Sequence, residues 1–352
     1  MNKYIKNVSL NDKIVANINY IKNLIELSLN CSKVYRNYFH ITISILKRKY
    51  PIQTILKNGN CVLLTNFNAA FFIASLQNHK GLEYYIEKDV VNILSMPELV
   101  DNKKIKLHGG INNGDIVNVF LKNSYRVLPV KGKTVIDVGS NIGDSLIYFA
   151  LRDAEKIIGV EPFPRNYELA KKNIEVNNFS DKIIILLAGC SATSGYITVD
   201  PEYESGIDSK LDEFRDGIKV PLLTLKQILN DFNVPNDSIL KMDCEGCEYE
   251  TILTTPEEIF ERFSHIMIEY HHGYKNLKEK LEKCGFIVSV TKPSASGFIS
   301  SYFYVLKQFF LLKNLRKPQE HMSDQKTTDK FHKMRQKYHI EYVGLIHAIR
   351  NK

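Results

Sequence analysis

The chain has 352 residues, 44% hydrophobic and 24% charged, the balance of an ordinary soluble protein with enough length for one large or two ordinary domains. Its net charge of +8 permits an acidic, phosphorylated or membrane-surface partner and requires none. Six scattered cysteines and an N-terminal stretch without an apolar core, Met1 to Lys13, exclude a disulfide framework and a secretory signal, so free thiols in a reducing cytoplasm are expected.

In chain order, residues 1 to about 50 carry apolar positions at helical spacing between lysines, and Pro51 interrupts them. Lys57-Asn58-Gly59-Asn60 reads as a hairpin turn before a strand over 61–64. The uncharged stretch 58–79 raises a membrane-spanning question. Asn60, Asn66, Asn68, Gln77 and Asn78 interrupt it, which favours a buried strand followed by a helix to about His79, with Gly81 as its stop. Two β-rich runs follow, Val90–Leu94 and Lys104–Leu107, then a glycine-asparagine loop and a helix over 115–127.

From 133 to 291 strand and helix patterns alternate. Strands are expected at 134–138, 156–160, 183–188, 238–243, 264–270 and 286–291, and helices at about 143–152, 165–177, 224–231, 246–253 and 274–283. Alternation at this spacing predicts a parallel sheet with helices on both faces. A final strand-like run is Tyr342–Ile349. The insertion 292–338 has an aromatic and leucine-rich middle flanked by basic residues. It suits a helix packed on the core, a substrate lid, an oligomer contact or, through 298–315, a membrane-surface helix. The chain thus divides into an N-terminal α+β extension, 1–128, and a nucleotide-type α/β domain, 129–352.

The most informative segment is Thr134-Val-Ile-Asp-Val-Gly-Ser-Asn-Ile-Gly-Asp-Ser145. A buried strand ends in a loop with glycines at 139 and 143, where a ligand can approach bare backbone. Asp137, near the strand end, is costly there unless a donor or ligand receives it. A dinucleotide fingerprint needs a glycine where Asn141 stands and another where Asp144 stands, and a carboxylate at a helix N-terminus repels a pyrophosphate. The pattern D-x-G-x-x-x-G suits a cationic cofactor, S-adenosylmethionine. About one strand-helix-strand unit later Glu161 ends a second apolar run, placed to accept both hydroxyls of a ribose.

The fourth strand ends in Asp243-Cys-Glu-Gly-Cys-Glu248, and the fifth delivers Glu269, His271 and His272. Asp243, Glu245, Glu248 and Glu269 either orient His271 or His272 as a general base, bind a divalent cation, or cap a helix and pair with lysines such as Lys241. Of two adjacent histidines on extended chain, one must turn away. The acidic mouth would repel a phosphate backbone, and no Pro-Pro-aromatic turn follows the fourth strand, so nucleic acid is not expected as a substrate.

These residues resemble the FkbM-like S-adenosylmethionine-dependent methyltransferases. The resemblance rests on Val135–Ser145, Val160-Glu-Pro-Phe163, Ile239–Glu248 and Met267–His271, and covers about 130–291. It implies a Rossmann-like, seven-stranded class I methyltransferase sheet and methylation of a hydroxyl on a sugar, glycan, lipid-linked or small-molecule acceptor. Asp137, Gly139, Ser140, Asn141, Gly143, Glu161 and Pro162 would then hold the cofactor, with Ala188, Gly189 and Cys190 flanking its adenine. A metal-assisted variant would use Asp243, Glu245 and Glu269. A non-catalytic membrane- or partner-binding module is the remaining alternative. The expected place is the cytoplasm, with peripheral membrane contact allowed.

Overall fold

The computed structural model describes residues 8–47, 49–64, 67–87, 90–96, 104–109, 115–199, 217–296 and 341–351. The aromatic insertion and its membrane-surface reading, 298–315, lie outside these residues.

The N-terminal extension opens with α1 (Leu10–Val34), whose Ser9 and Asp12 form a reciprocal capping box. Then come α2 (Tyr38–Leu46), β1 (Ile52–Ile55), β2 (Cys61–Leu64), α3 (Phe67–Asn78), β3 (Glu83–Glu87), β4 (Val90–Ser95) and β5 (Ile105–Leu107). The expected hairpin turn is present: β1 and β2 pair antiparallel, with Ile55 opposite Cys61. The helix expected over 115–127 is much shorter. A π-helical turn spans Val117–Leu121 and closes with Lys122 N–H donating to Val117 O. Asn123 then turns left-handed at φ +51° and ends it. Bulky Val117, Val119 and Phe120 are all buried on this turn, so packing overrides helical propensity.

The second part runs β6 (Thr134–Val138), α4 (Asp144–Leu151), β7 (Lys156–Glu161), α5 (Pro164–Val176) and β8 (Ile183–Leu187). A side sheet follows, of β9 (Gly189–Cys190), β10 (Gly195–Val199) and β11 (Ile218–Leu223), which the sequence pattern did not reveal. The main chain path resumes with α6 (Leu225–Asp231), β12 (Ser238–Met242), α7 (Cys247–Thr254), α8 (Glu257–Phe260), β13 (Phe263–Tyr270), α9 (Lys275–Lys283), β14 (Phe286–Val290), β15 (Ser294–Ser296) and β16 (Glu341–Arg350).

The main sheet has the order β14-β16-β13-β12-β6-β7-β8, with β15 added against β16. β12 lies parallel between β6 and β13, while β16 runs antiparallel between β13 and β14. The strand order therefore reverses between β6 and β12, and a ligand crevice opens beyond their carboxyl ends. This is the seven-stranded arrangement expected from the sequence. Strand alternation sends Val135 and Ile239 into one apolar cluster and Ile136, Val138, Leu240 and Met242 into another, one on each face. The first cluster continues into the N-terminal extension through Phe72, Val91 and Phe120.

Candidate active site

The crevice is a cavity of about 290 Å³, walled by the β6, β7, β8 and β12 tips on one side and by Asp115, Tyr125 and Glu341 on the other. Gly139 explains how these tips come together. Its φ is +79°, and a Cβ there would lie 1.8 Å from the Asp243 carbonyl oxygen. Asp243 N donates to Val138 O at 2.9 Å, so the two loops cross in direct backbone contact that only glycine permits.

Glu161 reaches the cavity from the end of β7. Its Oε2 accepts from Asn141 N at 2.8 Å, and Oε1 accepts from Phe163 N at 3.1 Å and Asn166 Nδ2 at 3.4 Å. Burial pushes its carboxyl up to about 8, against the pull of those donors. Asn141, at φ +49°, also donates from Nδ2 to Asp115 Oδ2 at 2.6 Å. Burial, reinforced by nearby Asp243, raises Asp115 to about 6. Pro162, Ala188, Gly189 and Cys190 complete this end of the cavity.

Three of the residues expected to hold the cofactor are placed elsewhere. Asp137 is fully buried, accepts from Ser145 Oγ and pairs with Lys241 Nζ at 2.8 Å. Lys241 Nζ also donates to Gly139 O at 2.9 Å. Burial opposes the lysine's charge, yet Asp137 holds it protonated. Asp137 therefore anchors the loop from beneath, through Lys241. Ser140 is buried beneath the loop, and Gly143 begins α4 at φ +82°. Neither lines the cavity.

Asp243, Glu245, Glu269 and His271 also face the cavity, beside the Gly139 loop. His271 Nδ1 lies 2.9 Å from Glu248 Oε1, and Nε2 lies 3.3 Å from Glu245 Oε2 and 3.9 Å from Asp243 Oδ1. Burial disfavours the imidazolium, but Glu245 and Glu248 outweigh it and raise its pKa well above the usual value. Glu248 is itself fully buried and accepts from Gly246 N at 2.8 Å, so it orients the ring without reaching the cavity. Burial pushes Glu245 up to about 8 and, with the charge of Asp243 beside it, raises Glu269 well above the carboxylate range. His272 turns away: its ring stacks on Tyr249, and its N–H donates to the Tyr249 hydroxyl. Cys244 and Cys247, expected as free thiols, are joined by a disulfide spanning the start of α7, while Cys31, Cys61, Cys190 and Cys284 are free.

Sequence reasoning missed Asp115, Tyr125 and Glu341. They reach the cavity from outside the alternating segment, and no local spacing marks them.

The site can take an adenosyl cofactor. The Gly139 loop and a buried carboxylate among backbone donors line the cavity, and beside that loop stand ionisable groups able to handle a proton. Sheet order and site together define a methyltransferase of the class I, Rossmann-like kind. Residues 137–288 match the methyltransferase FkbM domain, so the resemblance to FkbM-like enzymes is borne out over that segment. Methyltransferase 1 of Beauveria bassiana is 22% identical over 217 residues, covering 54% of this chain and 87% of the relative. Methyltransferase sdnD of Sordaria araneosa is 24% identical over 168 residues, covering 38% of this chain and 65% of the relative. A solved precorrin-6y C5,15-methyltransferase from Geobacter metallireducens aligns over 73% of this chain and 93% of its own, at 12% identity and a TM-score of 0.34, a likeness too distant to bear on chemistry.

Proposed function

We propose that the protein transfers a methyl group from S-adenosylmethionine to a hydroxyl of a sugar, glycan, lipid-linked or small-molecule acceptor. The observation that carries this reading is that one cavity joins the Gly139 loop and Glu161 to the group Asp243, Glu245, Glu269 and His271. When bound, S-adenosylmethionine supplies a methyl on a sulfonium for in-line displacement. Gly139 and Asn141 receive its amino-acid part, Glu161 its ribose, and Ala188 to Cys190 its adenine. Holding the acceptor at contact distance supplies most of the acceleration, since effective molarities reach roughly 10⁵ M or more.

Of the two histidines, only His271 meets the cavity, and both its nitrogens already face carboxylates. We therefore assign the acceptor's proton to Asp243 and give His271 the role of a cation that positions Glu245 and steadies Asp243. Removing that proton contributes roughly 10²–10⁴-fold. Asp243→Asn should lower turnover by that factor while calorimetry finds S-adenosylmethionine binding intact. Full turnover in that variant would remove Asp243 from the chemistry, and undiminished binding to Gly139→Arg would remove the cofactor reading. Label from methyl-labelled S-adenosylmethionine, offered with a cell extract, should enter glycan, lipid or small-molecule fractions and not nucleic acid.

A second reading has one observation in its favour. Asp243, Glu269 and His271 each offer a ligand atom, all within 4.8 Å of one another. A divalent cation would be held there, with His271 in the place expected for Glu245. Loss of turnover with a chelator, restored by magnesium, would favour it over the metal-free reading.

A further inference from the structure

The longest helix of the described residues presents an apolar face to solvent. On α1, Leu10, Ile14, Ile18, Ile21, Ile25 and Leu29 are between 48% and 76% exposed. Scattered exposed aliphatics are ordinary, but six aligned along one helix are a contiguous patch that calls for a partner. At about 100° per residue they fall within a stripe about 100° wide, along a helix about 37 Å long. The opposite side holds the protein body. Ala16, Cys31 and Val34 are buried there, and Asn19 and Asn23 donate to Pro293 O and Ser294 Oγ at 3.0 and 3.2 Å.

Charge and spacing identify the partner. Lys22 and Lys33 are exposed and border one edge of the stripe, and Lys13 borders the other. Of the helix's two carboxylates, Asp12 is bound by Ser9 and by the Tyr274 hydroxyl, and Glu26 is exposed beyond Lys22 and Lys33, so three lysines stand against one exposed carboxylate along the stripe's edges. The face is therefore apolar with a cationic margin. A coiled-coil seam with a second copy would need a 3.5-residue period, continuing from Ile25 to positions 28 and 32. Both are serines, and the stripe instead passes to Leu29, keeping to one side of a straight helix. No helix among the described residues is long and apolar enough to cross a bilayer.

We propose that α1 lies along an anionic lipid bilayer, its aliphatic stripe in the headgroup–acyl boundary and its lysines against the headgroups. This docking is independent of the methyl donor and of the acceptor. It places a membrane contact on the N-terminal helix, apart from the one that the sequence alone suggested at 298–315.

The test uses the full chain with vesicles of phosphatidylcholine alone or mixed with phosphatidylglycerol. The protein should co-sediment with the mixed vesicles and less with phosphatidylcholine, and more weakly as salt is raised. The chain has no tryptophan, so Ile21→Trp gives a unique reporter whose emission should shift to the blue only with the anionic vesicles. Ile18→Asn with Ile25→Asn should abolish the association. Lys22→Glu with Lys33→Glu should weaken it about tenfold or more. Both double variants replace exposed side chains and should keep the wild-type melting temperature. Three results overturn the proposal: no association with anionic vesicles, association that survives both double variants, or a solution dimer that Ile18→Asn with Ile25→Asn dissociates.

Discussion

Burial drives the Glu161 carboxyl up to about 8, while donors from Asn141, Phe163 and Asn166 converge on it. Hydroxyl donors from a ribose would favour the ionised form further, so binding should expel the carboxyl's proton below pH 8. The sign follows: affinity for S-adenosylmethionine should strengthen as pH rises from 6 toward 8 and level off above it. Calorimetry in buffers of different ionisation enthalpy reads both the slope and the released proton. Glu161→Gln should weaken binding about tenfold or more, because hydrogen bonds to a charged group contribute about 1.5–3 kcal/mol, and should lose that slope. A slope unchanged in the variant would mean that another group titrates. The place of Glu161 at the cavity was legible in the sequence because a charge closing a buried apolar strand needs donors or a ligand to receive it. Asp137 had the same credentials and a different fate. Its partner Lys241 lies on the neighbouring strand, in register beside it, and only the pairing of β6 with β12 reveals that. The choice between His271 and His272 likewise needed the structure, since alternation says that one turns away and not which.

Between elements, Asn173 on α5 ties the extension to the cofactor loop. Its Nδ2 donates to Ile142 O at 2.9 Å and His108 O at 3.1 Å, and its Oδ1 accepts from His108 N at 2.7 Å. Asn177, one turn later, repeats the clasp on Lys106 N and O at 2.9 and 2.7 Å. Asn173 is fully buried, so Asn173→Ala would orphan backbone groups that water does not readily reach. The expected cost is roughly 2–3 kcal/mol in urea denaturation, with weaker cofactor binding because Ile142 belongs to the loop. Unchanged stability would show that the loop holds its place without the clasp. The strands and helices of the alternating segment were readable because each buries a regular apolar face. The stretch 115–127 was not, because its apolar residues pack in a π-helical turn against the α4 and α3 side of the core, a choice made by neighbours distant in sequence. The strands β9 to β11 are short and only partly apolar, and they pair locally, so no period announced them.

At the scale of the molecule, the boundary at 128/129 marks a change of pattern and not a break in packing. One apolar cluster runs from Tyr35, Phe72 and Ile93 of the extension through Phe120 and Leu128 to Leu146, Phe149 and Ile157 of the main sheet region. Tyr125 packs tilted against Phe149 and edge-on to Tyr148, and Arg152 donates to the carbonyls of Tyr125 and Arg126. Removing 1–128 would expose this face of α4 to water. Each large apolar side chain newly exposed costs about 1.5–3 kcal/mol, and several together exceed the roughly 5–15 kcal/mol by which ordinary domains are stable. The fragment 129–352 should therefore lack near-ultraviolet circular dichroism and bind a hydrophobic dye, although it contains the whole FkbM match. The full chain should melt in one transition at its main sheet and extension together, with calorimetric and van't Hoff enthalpies agreeing. A fragment that melts cooperatively and still binds S-adenosylmethionine would make the extension an accessory. A fragment that does neither makes it part of the enzyme's core, consistent with Asp115 and Tyr125 reaching the cavity from its border.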